Sequence, residues 1–472
     1  MSPAAEAVAG DAVELTVDKQ VGEGYGLARH EGRVVFVSGA IPGERVRAEL
    51  TQVKKRLAYA RTTDVLQPSP HRVADRRLSW GAAGIGGIEF AHVELPHSRE
   101  LKAEAAAEQL SRLGGIEGTG LRIAAAPSEH AAEAADPGAA ATTAGTAWRT
   151  RVQLAVDADG APGMRAAGSH VVIPVDTVPL AVPVLDDLGL HTLGLPGLER
   201  IELTASHASG AVVLHTRPGA ELDPHAVESV AVRLGEQDGQ WSLLHRSSQP
   251  VRRGGRGTGP EVRNRGGSAV RNRGGSSRLE VLVGTGEVTE RLHLDTPGGP
   301  LDRDFRLRAD GFWQVHVDAA AVLAGAVVEA ATGAKRVLDL YCGAGLLACA
   351  VGAAHEVPVT GLEGAGEAIA AARANGADLD AEFAIARIDR LSELPAADVI
   401  ILDPPRAGAG PAVTDALTAS DAERIIYVSC DAGTFARDAR ALADGGFTLA
   451  SCRGLDLFPL TAHAEFVSVF TR

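Results

Sequence analysis

At 472 residues the chain exceeds what one hydrophobic core organises, so two or three domains are expected. Its 45% hydrophobic and 22% charged residues are those of a soluble globular protein. The start Met1-Ser-Pro-Ala-Ala-Glu lacks the basic head and apolar core of a signal peptide, and no apolar run approaches a membrane span, so a cytoplasmic enzyme with no membrane partner is expected. The net charge of −14 argues mildly against a nucleic-acid partner, but Lys19 to Arg77 carries 12 Lys/Arg against 6 Asp/Glu, a basic module on an acidic chain.

In chain order, residues 11–66 alternate apolar runs with glycine turns, which predicts a small β-barrel of short strands. The segment "VVFVSGAIPGERVRAEL" resembles a TRAM domain, an OB-like RNA-binding barrel whose basic edges would follow a phosphate backbone. Residues 67–300 form a central α+β region. It contains a helix over 96–114 and strands resuming at "WRTRVQLAVDADG" and continuing to "WSLLHR". Two biased stretches, near 123–147 and 247–278, read as flexible insertions. The second carries the near-repeat "VRNRGGS", with 8 Arg and 1 acidic residue between Gln249 and Arg278. It is either an RNA-contacting arm or a solvated insertion. From Leu301 to the end, strands alternate with amphipathic helices, the pattern of a parallel α/β sheet.

Three motifs fall at strand ends in that last region. "RVLDLYCGAGLLACAVG" is strand, glycine turn and helix, with Gly343 and Gly345 letting the backbone approach a ligand at the helix N-terminus. Glu363, about 20 residues on, is placed to bind ribose hydroxyls. The same spacing fits a dinucleotide fingerprint, so a dehydrogenase stays open at this point. "DVIILDPPR" holds Asp403 at the sheet edge with two prolines that stop a helix from following, and it resembles the acidic-Pro-Pro motif of class I methyltransferases. "IIYVSCDAGTFARD" ends a strand on Cys430 before a helix, where a lowered thiol pKa is expected. Cys430 is either a nucleophile or a buried hydrophobe. Near the end, "LFPLTAHAEFVSVF" places Thr461, His463 and Glu465 on a turn before the last strand, with Glu465 a candidate general base.

Together with "GFWQVH", these motifs make the chain similar to the RNA uracil-5-methyltransferase family, which forms 5-methyluridine in tRNA and rRNA. The resemblance covers nearly the whole chain. It implies a TRAM barrel, a central domain and a Rossmann-like class I methyltransferase domain using S-adenosylmethionine. It also implies that Gln314, Tyr341, Glu363 and Asp403 contact the methyl donor, with Gln314 and Asp403 near the target base. Cys430 would then attack C6 of the uracil and Glu465 would remove the C5 proton. The base must leave its stack to be reached. The attached barrel favours 23S rRNA over tRNA, and a monomer with no protein partner is expected.

Many family members hold an iron–sulfur cluster with cysteines in a stretch that here reads "IGGIEFAH". Ile85 and Ile88 stand where cysteines would, and Leu78–Ser79 and Val178 mark two further positions without one. The four cysteines, Cys342, Cys349, Cys430 and Cys452, form no C-x-x-C pair, so no cluster, zinc site or disulfide framework is expected. Asp431-Ala432 replaces the usual Asn-Pro after Cys430, and Arg387 stands where a polar or acidic residue often faces the donor. The runner-up reading is a non-catalytic RNA-binding relative, and micromolar donor binding separates the two.

Overall fold

The computed structural model describes residues 8–118, 120–129, 145–248 and 277–472. The "VRNRGGS" repeats lie outside these residues, as does 130–144 of the first biased stretch.

Strands β1 (Ala12–Gln20), β2 (Gly26–His30), β3 (Arg33–Ser38), β4 (Arg45–Val53) and β5 (Leu57–Gln67) close into a barrel in the order β1-β2-β3-β5-β4. Strict alternation drives closure: Val13, Leu15 and Val17 of β1 point inward with Val35, Val37, Ala58 and Ala60. After the barrel comes α1 (Leu95–Gln109), which passes into a π-helical turn, Leu110–Gly114, before the left-handed Gly115 stops it.

The first biased stretch is not wholly loop. Ile123–Ala125 forms β6, which runs parallel to a C-terminal strand, and the following turn buries Glu129 beside Arg99. Alanine-rich composition hid a three-residue strand whose stability comes from a partner more than 300 residues away.

The central sheet has the order β13-β12-β11-β10-β7-β8-β9. Its strands are β7 (Arg151–Val156), β8 (Pro162–Arg165), β9 (Val172–Ile173), β10 (Leu198–Ala205), β11 (Ser209–Thr216), β12 (Gln240–Ser248) and β13 (Ser277–Val283). Only β11 and β12 are parallel neighbours, and α2 (Pro224–Gly235) supplies the crossover that parallel pairing requires. A hairpin of β14 (Glu287–Thr296) and β15 (Gly299–Arg308) then leads to α3 (Ala319–Ala330). The position 301 expected to open the last domain falls inside this hairpin.

The C-terminal sheet contains β16 (Val337–Leu340), β17 (Val359–Glu363), β18 (Ala381–Ile385), β19 (Val399–Leu402), β20 (Arg424–Ser429), β21 (Thr448–Asp456) and β22 (Glu465–Thr471). Its order is β18-β17-β16-β19-β20-β22-β21-β6, parallel except for β22, which is antiparallel to both neighbours. The strands β16, β19 and β20 are apolar throughout apart from Asp339 and the strand-end residues, because helices cover both faces. The covering helices are α4 (Leu346–His355), α5 (Gly366–Asn375), α6 (Pro411–Ala419) and α7 (Ala432–Asp444). The order reverses between β16 and β19, and open α/β sheets bind ligands outside the strand ends at such a point. Among the described residues, no helix is long and apolar enough to cross a membrane.

Candidate active site

Four strand ends meet at this edge. After β16, Tyr341 takes a left-handed conformation (φ 64°), costly for a residue with a Cβ and characteristic of functional turns. Gly343 (φ 53°) and Gly345 (φ 91°) continue the turn. They serve different ends. A Cβ on Gly345 would meet Cys349 Sγ at 3.2 Å and Ala372 Cβ at 3.3 Å, so Gly345 permits close helix packing. A Cβ on Gly343 would meet nothing within 4 Å, leaving open space above the turn.

Glu363, at the end of β17, accepts from the backbone N–H of Gly343 at 3.4 Å and of Ala365 at 2.9 Å. Asp339, inside β16, accepts from Ala348 N–H at 3.0 Å, while its second oxygen is buried without a partner. Burial, with the charges of Asp403 and Glu363 added, pushes the Asp339 carboxyl well above the ordinary range.

Asp403 directly follows β19 and Cys430 directly follows β20, where Asp431 caps α7 by accepting from Thr434 N–H at 2.7 Å. Glu465 opens β22, paired antiparallel beside β20. It is 6% exposed and its Oε2 has no partner. Burial pushes Asp403 up to about 7. Burial and the charge of Asp403 also raise Glu465, with Arg406 opposing. Two acids sharing a dry site disfavour joint ionisation.

The expected drop in the Cys430 thiol pKa does not occur. Burial first, then the neighbouring Glu465 carboxylate, pushes it up to about 12; Arg406 opposes the rise, and Asp403 and Asp431 add smaller contributions to it. The helix N-terminus is real, but desolvation and three acids outweigh it. The thiol is therefore protonated in the free protein.

The turn before Glu465 is held from three sides. Leu460 C=O accepts from Phe90 N–H at 2.9 Å, and Ala462 N–H donates to Glu89 at 3.1 Å. Lys102 of α1 donates to Asp456 at 2.6 Å and to Phe458 C=O at 3.0 Å. Thr461 Oγ accepts from His463 N–H at 3.1 Å, and burial lowers the His463 pKa to about 4, so its imidazole is neutral.

Cys430, Glu465, Asp403 and Arg406 form one electrostatic cluster, with Tyr341 and Glu363 linked to it through the β16 turn. Gln314 joins indirectly. Its loop donates and accepts across to the start of β7: Thr150 N–H to Val315 C=O at 2.8 Å, and Val317 N–H to Trp148 C=O at 3.0 Å. Arg149, bridged to His316, lies near enough to Arg406 for the two charges to act on each other. Arg387 ion-pairs with its neighbour Asp389 at 2.8 Å.

Sequence reasoning passed over Asp339, Arg149 and Phe312. An acid inside the apolar strand "VLDL" was a readable signal for Asp339. Phe312, on the Gln314 loop, is 74% exposed, and an exposed aromatic cannot be told from a core one by composition.

Known proteins match the chain over nearly its whole length. Residues 8–63 match the TRAM domain model, and residues 304–425 match the methyltransferase small domain model. An RNA methyltransferase of Streptomyces coelicolor is 33% identical over 98% of this chain and 93% of its own. One from Streptomyces avermitilis is 32% identical over 98% of each chain. The chain belongs to this RNA methyltransferase family. The fold of the methyltransferase is that of the Pyrococcus abyssi tRNA (uracil-54, C5)-methyltransferase, solved with S-adenosyl-L-homocysteine. The TM-score is 0.66 at 22% identity, covering 97% of this chain and 100% of that one.

Among the described residues, no group of three or more His, Cys, Asp and Glu is placed to hold a metal ion. Ile85 and Ile88 are 0% and 3% exposed, packed with Ala82, Trp148, Leu180 and Leu460.

Proposed function

We propose that this methyltransferase places a methyl group on C5 of a uridine in RNA, with Cys430 as nucleophile and Glu465 as base. The observation that carries the reading is a thiol just after β20 set together with a buried carboxyl, one oxygen of it unpartnered, at the start of the adjacent strand β22.

The residues fit S-adenosylmethionine as donor. Open space over Gly343 suits a close ligand, and Glu363 beside it is an acceptor for ribose hydroxyls. Tyr341, Asp403 and Gln314 complete the proposed donor and base contacts, and Gly345 shapes the donor turn through its close helix packing. When bound, the sulfonium supplies an electrophilic methyl group. Cys430 forms the Sγ–C6 bond as its proton passes to water; the C5=C6 π bond opens into an enolate spread over C5 and the C4 oxygen, so C5 becomes nucleophilic while Glu465 stays ionised for the next step. Glu465 then removes the C5 proton, the Sγ–C6 bond breaks, and the aromatic ring of the base returns. A carboxyl whose ionised form is disfavoured by burial is a strong base once ionised. Arg406 opposes the excess of negative charge throughout.

We assign 23S rRNA, in preference to tRNA, as the substrate, on the strength of the TRAM barrel. The test is to map 5-methyluridine in rRNA and tRNA from a strain lacking the gene and from one carrying Cys430→Ala. A 5-methyluridine missing from 23S rRNA in both strains supports the assignment. Loss from tRNA alone corrects the substrate, and unchanged 5-methyluridine in both RNAs rejects the chemistry.

A further inference from the structure

We propose that Tyr25, Phe36 and Tyr59, on the outer face of the barrel, form a stacking platform for one or two unpaired bases flanking the target uridine. This rests on the RNA-methylating reading above.

Register places the rings together. Phe36 of β3 pairs with Leu27 of β2 on one side and Tyr59 of β5 on the other, and Tyr25 precedes β2. Ring centroids lie 6.3 Å (Tyr25–Phe36), 5.8 Å (Tyr25–Tyr59) and 5.3 Å (Phe36–Tyr59) apart. The barrel core does not need them. Ala28, Val35, Val37, Ala58 and Ala60, the inward residues of the same strands, fill it. In a chain only 4% aromatic, three half-buried rings gathered on one outward face call for a ligand with a π-face.

Charge narrows the class. Lys54 Nζ lies 5.6 Å from the Tyr59 ring centroid, and Lys54, Lys55 and Arg56 are all exposed on the β4–β5 turn. Cations beside a stacking surface are what single-stranded nucleic acid meets on barrels of this type. Glu23 and Glu89 sit at the opposite end, by Tyr25, so a phosphate backbone would run on the lysine side.

Position supplies the third argument. A Cβ on Gly24, next to Tyr25, would meet Glu89 Cβ at 2.6 Å and Ala462 Cβ at 3.2 Å. The platform therefore adjoins the turn that leads into Glu465, and a strand whose uridine enters the site has these rings within reach.

The test measures binding of fluorescein-labelled oligouridylate of about 12 nucleotides, within the roughly 4–16 that such barrels cover. An abasic ribose-phosphate strand of equal length is the control. The double variant Phe36→Leu, Tyr59→Leu should weaken oligouridylate binding about fivefold or more, the change a lost stack of about 1 kcal/mol gives. Binding of the abasic strand should not change. Tyr59→Phe, which keeps the ring, should bind as the wild type does, and Lys54→Ala should weaken both strands. An unchanged Kd in a double variant that melts normally overturns the proposal. If the double variant unfolds, 2-aminopurine scanned along the strand on the wild-type protein decides. Strong quenching at one or two positions supports the platform, and uniform or absent quenching rejects it. Methylation of RNA from the deletion strain is followed in parallel. Wild-type protein that methylates without local quenching defeats the platform alone, whereas no methylation of any RNA defeats the underlying reading and the platform with it.

Discussion

Two regions of the methyltransferase meet at the turn 457–464, and they are built on opposite principles. On one side, Ile85 and Ile88 close an apolar nucleus that includes Leu460, with no charge to satisfy and only the neutral Trp148 Nε1 lacking a partner among the described residues. On the other, Asp339, Asp403 and Glu465 crowd a dry edge, and two of the three have an oxygen without a partner. The first arrangement lowers free energy wherever it occurs in a fold, whereas the second raises it and persists only where chemistry requires it. Substitutions should therefore separate cleanly: damage to the nucleus costs stability, and damage to the edge costs turnover.

The sharpest break is at Cys430. Cys430→Ala should lower methyl transfer by on the order of 10⁶-fold, the scale of nucleophile loss in covalent catalysts, without lowering the melting temperature. No protein–RNA species should survive a denaturing gel. Glu465→Gln comes next, with turnover slowed about 10²–10⁴-fold. Here attack and methylation proceed and removal of the C5 proton stalls, so a slow-migrating protein–RNA band should accumulate only with S-adenosylmethionine present. Normal turnover by Glu465→Gln would remove it from the mechanism and turn attention to His463.

On the opposite side, Ile85→Ala should cost about 2–5 kcal/mol of stability, as buried aliphatic truncations do, and leave kcat of the folded protein near the wild-type value. The purified protein is expected to be colourless and free of iron. A fall in kcat without a fall in stability would mean that the nucleus tunes Leu460, and through it Glu465, more finely than packing alone implies.

Much of this contrast was legible in the sequence, and the rest was hidden for physical reasons. Apolar runs ending in polar residues mark a sheet edge, and that pattern put Asp403 and Cys430 at strand ends; Glu465, read as part of the turn before the last strand, is instead the first residue of β22. Ile85 and Ile88 were readable as apolar residues, but not as members of one nucleus with Trp148 and Leu460, which only tertiary packing brings together. The protonation state of Cys430 was not readable: a helix N-terminus is local, whereas the burial and the Glu465 carboxylate that raise the thiol pKa come from tertiary packing. Arg149 was invisible for the same reason. Its charge and that of Arg406 act on each other from separate regions, and no local pattern records an interaction between residues so far apart in the chain. Strand β6 escaped notice because its partner, not its alanine-rich sequence, makes it a strand.

The smallest expected effect tests whether the edge is destabilising in the manner described. Burial raises the Asp403 carboxyl from an ordinary 3.8 to about 7, so the folded protein keeps a proton that the unfolded chain releases. Between about pH 4 and 7 the folded state binds more protons than the unfolded one, and stability falls as pH rises through that window. Below it both states are protonated, and above it neither is, so the dependence flattens at each end. Asp403→Asn removes this titration and also the charge that helps to raise Glu465. Its melting temperature should therefore exceed the wild-type value at pH 8 by more than it does at pH 4. Thermal melts of both proteins across that range provide the measurement. If the advantage shrinks or reverses at high pH, the Asp403 carboxylate is stabilised by a partner in the folded protein, and Arg406, whose charge acts on Cys430 and Glu465, is the first cation to test. The edge would then be a compensated charge network rather than a strained one.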